Sequence, residues 1–190
     1  MKTLFISLKI FLFFTILTGI IYPLLITGIA QLVFPSKANG SLITINQKVI
    51  GSSLIGQQFD TSVYFSSRPS AVFYNALPSG ASNYGLTSAK LKKLFGERQQ
   101  YFIDFNQLDS TVKIPSEMLF ASASGLDPHI SPEAAKIQVS RIAKARNFNT
   151  EQKQKLINCV KNLSETPQFL LLGEARVNVL LLNLETDKIK

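Results

Sequence analysis

The sequence predicts one N-terminal transmembrane helix followed by a mixed α/β soluble domain. Three observations predict it. An uncharged apolar stretch lies near the start of the 190-residue chain. After it, 3.6-residue and 2-residue periodicities alternate. A single cysteine, Cys159, leaves the later part to be held by a hydrophobic core without internal disulfides.

From Ile10 to Phe34, 25 consecutive residues contain no Asp, Glu, Lys, Arg or His. About 20 apolar residues cross a hydrocarbon core of roughly 30 Å. A core helix of a soluble protein keeps one face for water and seldom stays uncharged so long. A cleaved signal peptide is the rival reading, and Ser36 and Ala38 supply small residues. Its apolar region, however, usually runs only about 7 to 15 residues. Lys2, Lys9 and the α-amino group precede the span, and only Lys37 follows closely. Cytoplasmic flanks collect Lys and Arg. The expectation is therefore a single-pass anchor (residues 1–36, helix about 10–34) in the cytoplasmic membrane, N-terminus inside, with an α/β domain (37–190) outside.

Within the span, Thr15, Gly19, Pro23, Thr27 and Gln31 recur every fourth residue. The stripe winds by about 40° per step. Small and weakly polar residues let transmembrane helices approach closely, and Pro23 removes a backbone hydrogen bond. The stripe is expected to face a partner helix.

Ser41–Ile45 and Lys48–Ile50 flank Asn46-Gln47 and read as a β-hairpin, with a further β-favouring run at Leu54–Phe59. Residues 60–85, rich in Ser, Pro, Gly, Asn and Tyr, form a long irregular stretch. Such loops inside a compact domain are functional or disordered, and the interspersed aromatics argue for order. Leu91, Leu94, Phe95, Phe102 and Phe105 predict a helix from Ser88 to about Phe105. A second loop, 121–130, ends at Ser131-Pro132-Glu133. There Ser131 suits the N-cap, Pro132 the first turn and Glu133 the positive helix end. That helix is expected to reach about Asn147, with Ala135, Val139, Ile142 and Ala143 inward. Another should run from Asn149 or Thr150 to about Leu163. Val177–Leu184 reads as a buried strand.

Residues 36–190 carry 18 Lys and Arg against 12 Asp and Glu. No dense basic block with interleaved aromatics occurs, so no nucleic-acid partner is expected. The sequence holds no phosphate-cradling Gly-rich loop, no Cys/His zinc spacing and no nucleophile elbow. Cys159 and the lone His129 have nothing in the sequence to link them, and no independent enzyme is expected. Ser122, Ser124, Gly125 and Asp127 lie just before a helix start, where free N–H groups suit an anion. A capped turn satisfying its own backbone accounts for the same residues and is the weightier reading on physics alone. Arg141 and Lys144 read as a solvated helix face, or as contacts for an anion or a partner.

Three ordered blocks and the ending carry a resemblance: Tyr22–Gly28 with Gly51–Phe59; Tyr64-Phe65 through Arg68-Pro69-Ser70-Ala71, Tyr74-Asn75 and Ser79–Asn83; Ala121–Pro132 continuing through Gln138–Arg146; and Leu172–Leu180. Over nearly its whole length the chain resembles the C subunit of the Kdp potassium-transporting P-type ATPase. Ala81 and Ser67 stand where Gly is expected, and Ala175 where Pro is expected. The resemblance implies a non-catalytic accessory subunit working with a potassium-pore subunit and an ATP-hydrolysing subunit. It implies help with assembly and a catalytic-chaperone role that raises ATP affinity. It also implies nucleotide contacts at Ser122, Ser124, Gly125, Asp127, Gln138 and Arg141. No metal or tightly bound cofactor is expected, and ATP would come through the partner subunit. ATP is cytoplasmic, whereas the flanking charges place residues 36–190 outside. The topology is the firmer of the two. Its alternative consequence is a domain covering the potassium entrance without touching nucleotide.

Overall fold

The computed structural model describes residues 1–169 and 171–189. They form two compact units, Met1–Ser52 and Ser53–Lys190.

The first unit opens with a continuous helix, Lys2–Val33, long and apolar enough to cross a membrane. It comprises α1 (Lys2–Ile16), a π-helical turn at Leu17–Ile21, and α2 (Tyr22–Val33). None of its side chains is buried. The wide turn stands directly before Pro23, whose missing N–H and ring exclude regular α geometry there. A short helix, α3 (Pro35–Ala38), follows, and then the hairpin β1 (Leu42–Ile45) and β2 (Lys48–Ser52). Asn46 and Gln47 both take positive φ, +49° and +62°, as a two-residue hairpin turn requires. The pairing shifts by one residue between Ile43 and Thr44. The run Leu54–Phe59 lies in turns and coil, so the expected third β run is corrected: its residues join no ladder.

The second unit packs helices α4 (Ala89–Asn106), α5 (Pro132–Ala145), α6 (Thr150–Asn162) and α7 (Val179–Asp187) around a small sheet. That sheet has the antiparallel order β3–β5–β4, from His129–Ile130, Arg176–Asn178 and Ser164–Glu165. A 3₁₀ turn at Ser116–Met118 precedes β3. Caps fix the helix starts. Ser131 Oγ accepts from Ala134 N at 3.0 Å. Asn149 and Gln152 form a reciprocal capping box. Ala135, Val139, Ile142 and Ala143 are buried, as expected, and Cys159 packs half-buried at the core's margin.

The expected strand over Val177–Leu184 is corrected: only Arg176–Asn178 is extended, and from Val179 the chain is helical. Asn178 decides it, because its side chain accepts from Leu181 N at 3.1 Å and caps a new helix. An apolar run that short does not distinguish a buried strand from a buried helix.

Candidate functional site

Residues 53–85 contain no helix or strand, yet this strap is fixed, because side chains of α5 and α7 bind its peptide groups. Asn183 accepts from Phe65 N at 2.8 Å and donates to Phe65 O at 3.0 Å. Gln138, fully buried, accepts from Ser66 N at 2.8 Å and donates to Ser66 O and Ala134 O. Arg141 donates to Ser62 O (2.5 Å), Tyr64 O (2.9 Å), Thr61 O (3.4 Å), Asn106 Oδ1 (2.9 Å) and Gln138 Oε1 (2.9 Å). Its guanidinium lies 4.4 Å from the centre of the Phe105 ring. One turn further, Arg146 donates to Val63 O at 2.8 Å and to Asp187 at 2.6 Å. Arg141 is thus a buried cation held by neutral oxygens and one ring face. Burial lowers its pKa to about 10. The solvated helix face expected at Arg141 is corrected. Lys144, by contrast, is exposed and donates to Gln107.

The second loop is stitched to the same strap. Ser122 N donates to Pro69 O (3.3 Å), Gly80 N to Ser124 O (3.0 Å) and Gly56 N to Leu126 O (2.7 Å). Gly125 has φ +71°, and a Cβ there would lie 2.5 Å from Val72 Cγ2 and 2.8 Å from Gly80 O. A Cβ at Gly56 would meet Asp127 O at 2.6 Å. Both positions therefore require glycine, one for conformation and both for space.

Asp127 anchors the loop's end. Its Oδ2 accepts from Arg68 at 2.7 Å and its Oδ1 from His129 N at 3.0 Å, with His129 Nδ1 3.5 Å away. Burial alone would raise this carboxyl, but His129 and Arg68 outweigh it and hold it at about 2. Beside it lies a cavity of about 500 Å³, lined by Arg68, Glu117, Asp127, His129, Ser131 and Arg176 among others. A separate, more apolar cavity of about 470 Å³ lies against Phe59, Tyr74, Tyr84, Tyr101 and Phe105. Burial pushes the Tyr74 hydroxyl up to about 12, and that hydroxyl donates to Arg68 O.

The residues expected at nucleotide thus divide into two groups. Ser122, Ser124, Gly125 and Asp127 share the loop, whereas Gln138 and Arg141 lie on α5 with their polar groups bound to 61–66 and its neighbours. Sequence reasoning missed this second role. The available signal was a Gln and an Arg three residues apart, on the same helical face as Ala134, Ala135 and Ile142. Among the described residues, no group of three or more His, Cys, Asp or Glu is placed to hold a metal ion.

Along the span, Thr15 Oγ1 donates to Phe11 O at 2.8 Å, and Gln31 and Asn39 exchange amide hydrogen bonds. Gly19 has open space around it. With these groups engaged inside the chain, the stripe offers close approach at Gly19 and Pro23 and few free donors.

The model of the family described as K+-transporting ATPase, c chain, matches residues 4–188. The chain belongs to that family. A KdpC subunit of the potassium-transporting ATPase of Pectobacterium atrosepticum is 47% identical, over 97% of this chain and 95% of its own length. That of Geotalea uraniireducens is also 47% identical, over 100% and 99%. The Leptospira interrogans protein of the same name is 42% identical, over 96% and 92%. Family membership covers the span, strap, second loop and α7 alike.

Proposed function

We propose that this chain is a non-catalytic accessory subunit of an ATP-driven potassium uptake pump, inserted by Lys2–Val33 and holding residues 53–190 outside the cytoplasmic membrane. The observation that carries the reading is the wholly unburied apolar helix with its Thr15–Gly19–Pro23–Thr27–Gln31 stripe. Such a surface calls for lipid on one side and close helix packing on the other. The partners are the pore-forming and ATP-hydrolysing subunits named by the family resemblance.

In this reading the subunit raises the ATP affinity of the hydrolysing subunit as a catalytic chaperone, and does so through assembly. Two features favour assembly over direct nucleotide contact. Gln138 and Arg141 are engaged with the strap, and Asp127 is engaged with Arg68 and His129. ATP then belongs to the partner, and this chain holds no tightly bound cofactor.

The test is removal of residues 1–34. The remaining domain should be water-soluble and should no longer copurify with the pump. Retained copurification overturns a helix-mediated interface. Protease access to the C-terminus in intact spheroplasts checks the orientation.

A further inference from the structure

Between β4 and β5 the chain turns back at an uncharged segment, Thr166–Gly173. The turn is closed by Gln168 and Leu172, each donating its N–H to the other's carbonyl at 2.9 Å. At its tip Phe169 is 90% exposed, Leu171 85% and Leu172 58%. Phe169 also takes φ +53°, a conformation that favours glycine and disfavours a bulky residue. A sequence serving only the turn would place glycine or asparagine there. Instead this position holds a large aromatic side chain, turned to solvent beside leucines. Isolated exposed apolar residues are ordinary, but a cluster at a protruding tip marks a contact surface.

We propose that Phe169, Leu171 and Leu172 at this tip form a second membrane contact, which dips into the interfacial region of the bilayer that carries the span. This rests on the anchored reading above. The tether argues for lipid as the occupant. Residues 34–52 join Val33 to Ser53, a reach of at most about 65 Å when fully extended, and the β1–β2 hairpin within it shortens that. A domain of this size has a radius of gyration of about 14 Å. The tip is thus confined near a bilayer surface for the life of the anchored chain, a situation equivalent to a high local concentration. The chemistry agrees. The tip residues carry no charge to desolvate, and the Glu165–Arg176 ion pair lies on the two strands at its base. Its Phe and Leu side chains suit the headgroup–acyl boundary.

The chain contains no tryptophan, so a single substitution gives an unambiguous fluorophore. The full chain carrying Phe169→Trp, or independently Leu172→Trp, is reconstituted into phosphatidylcholine–phosphatidylglycerol vesicles with nitroxide-labelled acyl chains. Gln154→Trp, exposed on α6, serves as the aqueous reference, and Phe13→Trp reports the span. Insertion about 5–10 Å deep should give both tip variants blue-shifted emission. It should also make them several-fold more sensitive to the lipid nitroxide, and several-fold less sensitive to acrylamide, than Gln154→Trp. If the Phe13→Trp chain is quenched by lipid while both tip variants behave like the aqueous reference, the tip contact is overturned and the anchor stands. If the Phe13→Trp chain also escapes lipid quenching, the anchored reading falls too. In the assembled pump, a tip shielded from lipid and acrylamide alike has a protein occupant, which overturns the proposal.

Discussion

Replacing Arg141 with Met keeps the length and apolar stem of the side chain and removes the guanidinium donors that hold the carbonyls of Thr61, Ser62 and Tyr64, leaving Arg146 on Val63 O. Ser62 O, Tyr64 O and Asn106 Oδ1 then lose their partner, whereas Gln138 Oε1 keeps Ser66 N. Hydrogen bonds from a charged donor contribute about 1.5–3 kcal/mol each, or about 6 kcal/mol for three. Against this stands relief of the desolvation of a buried guanidinium, several kcal/mol by its effective cost in proteins. Taking that relief as half of the gross term leaves a net loss of about 3 kcal/mol. For a domain of this size that is roughly a 10 °C fall in Tm. Thermal unfolding of the full chain in detergent reads the total, and amide hydrogen exchange at Phe65 and Ser66 reads the place. A fall under ~2 °C, with exchange at those amides unchanged, would refute the view that Arg141 holds the strap.

Gly125→Ala and Gly96→Ala should move stability in opposite directions. The first forces a Cβ to within 2.5 Å of Val72 at φ +71° and should cost about 3 kcal/mol. The second lies inside α4 in open space and should stabilise by roughly 0.5–1 kcal/mol. Paired denaturant titrations read both. The Asp127 carboxyl titrates near 2 in the folded chain and near 3.9 when unfolded. Its folded value is the lower, so its contribution is complete above about pH 4 and is lost as pH falls toward 2. Allowing for partial exposure, the loss is about 1–2 kcal/mol. Asp127→Asn should flatten that part of the stability–pH curve, and a parallel curve would disprove the assignment.

What could be read from the sequence followed from local rules. The uncharged run, the Ser131-Pro132-Glu133 start and the turn at Asn46-Gln47 each carry their cause within a few residues; the last two reappear within a residue or two of their expected place, whereas the helix through the uncharged run ends at Val33 but begins at Lys2, well before the expected residue 10. The misreadings arose where neighbours far along the chain decide. Val179–Leu184 is apolar in either conformation, and the helix there is set by the Asn178 cap. Arg141 looked like a surface cation because no nearby residue reveals that the carbonyls of Thr61, Ser62 and Tyr64, some 80 positions earlier, enclose it. The loop 122–127 could be picked out, but its packing against Gly56, Val72 and Gly80 could not. The two-residue strands β3 and β4 have no periodicity to detect.

Because residues 61–66 are gripped through their peptide groups, the identities of most of their side chains are left unconstrained by the grip. The route of this segment is encoded elsewhere, in Gln138, Arg141, Arg146 and Asn183. Outward-facing positions such as Thr61 and Ser62 are thus open to exchange with little effect on course. Proline at Phe65 or Ser66 is not, since each N–H there is individually claimed. The arrangement is a fixed rail with interchangeable cargo, on which a lineage could retune what this surface presents without rebuilding the domain beneath it.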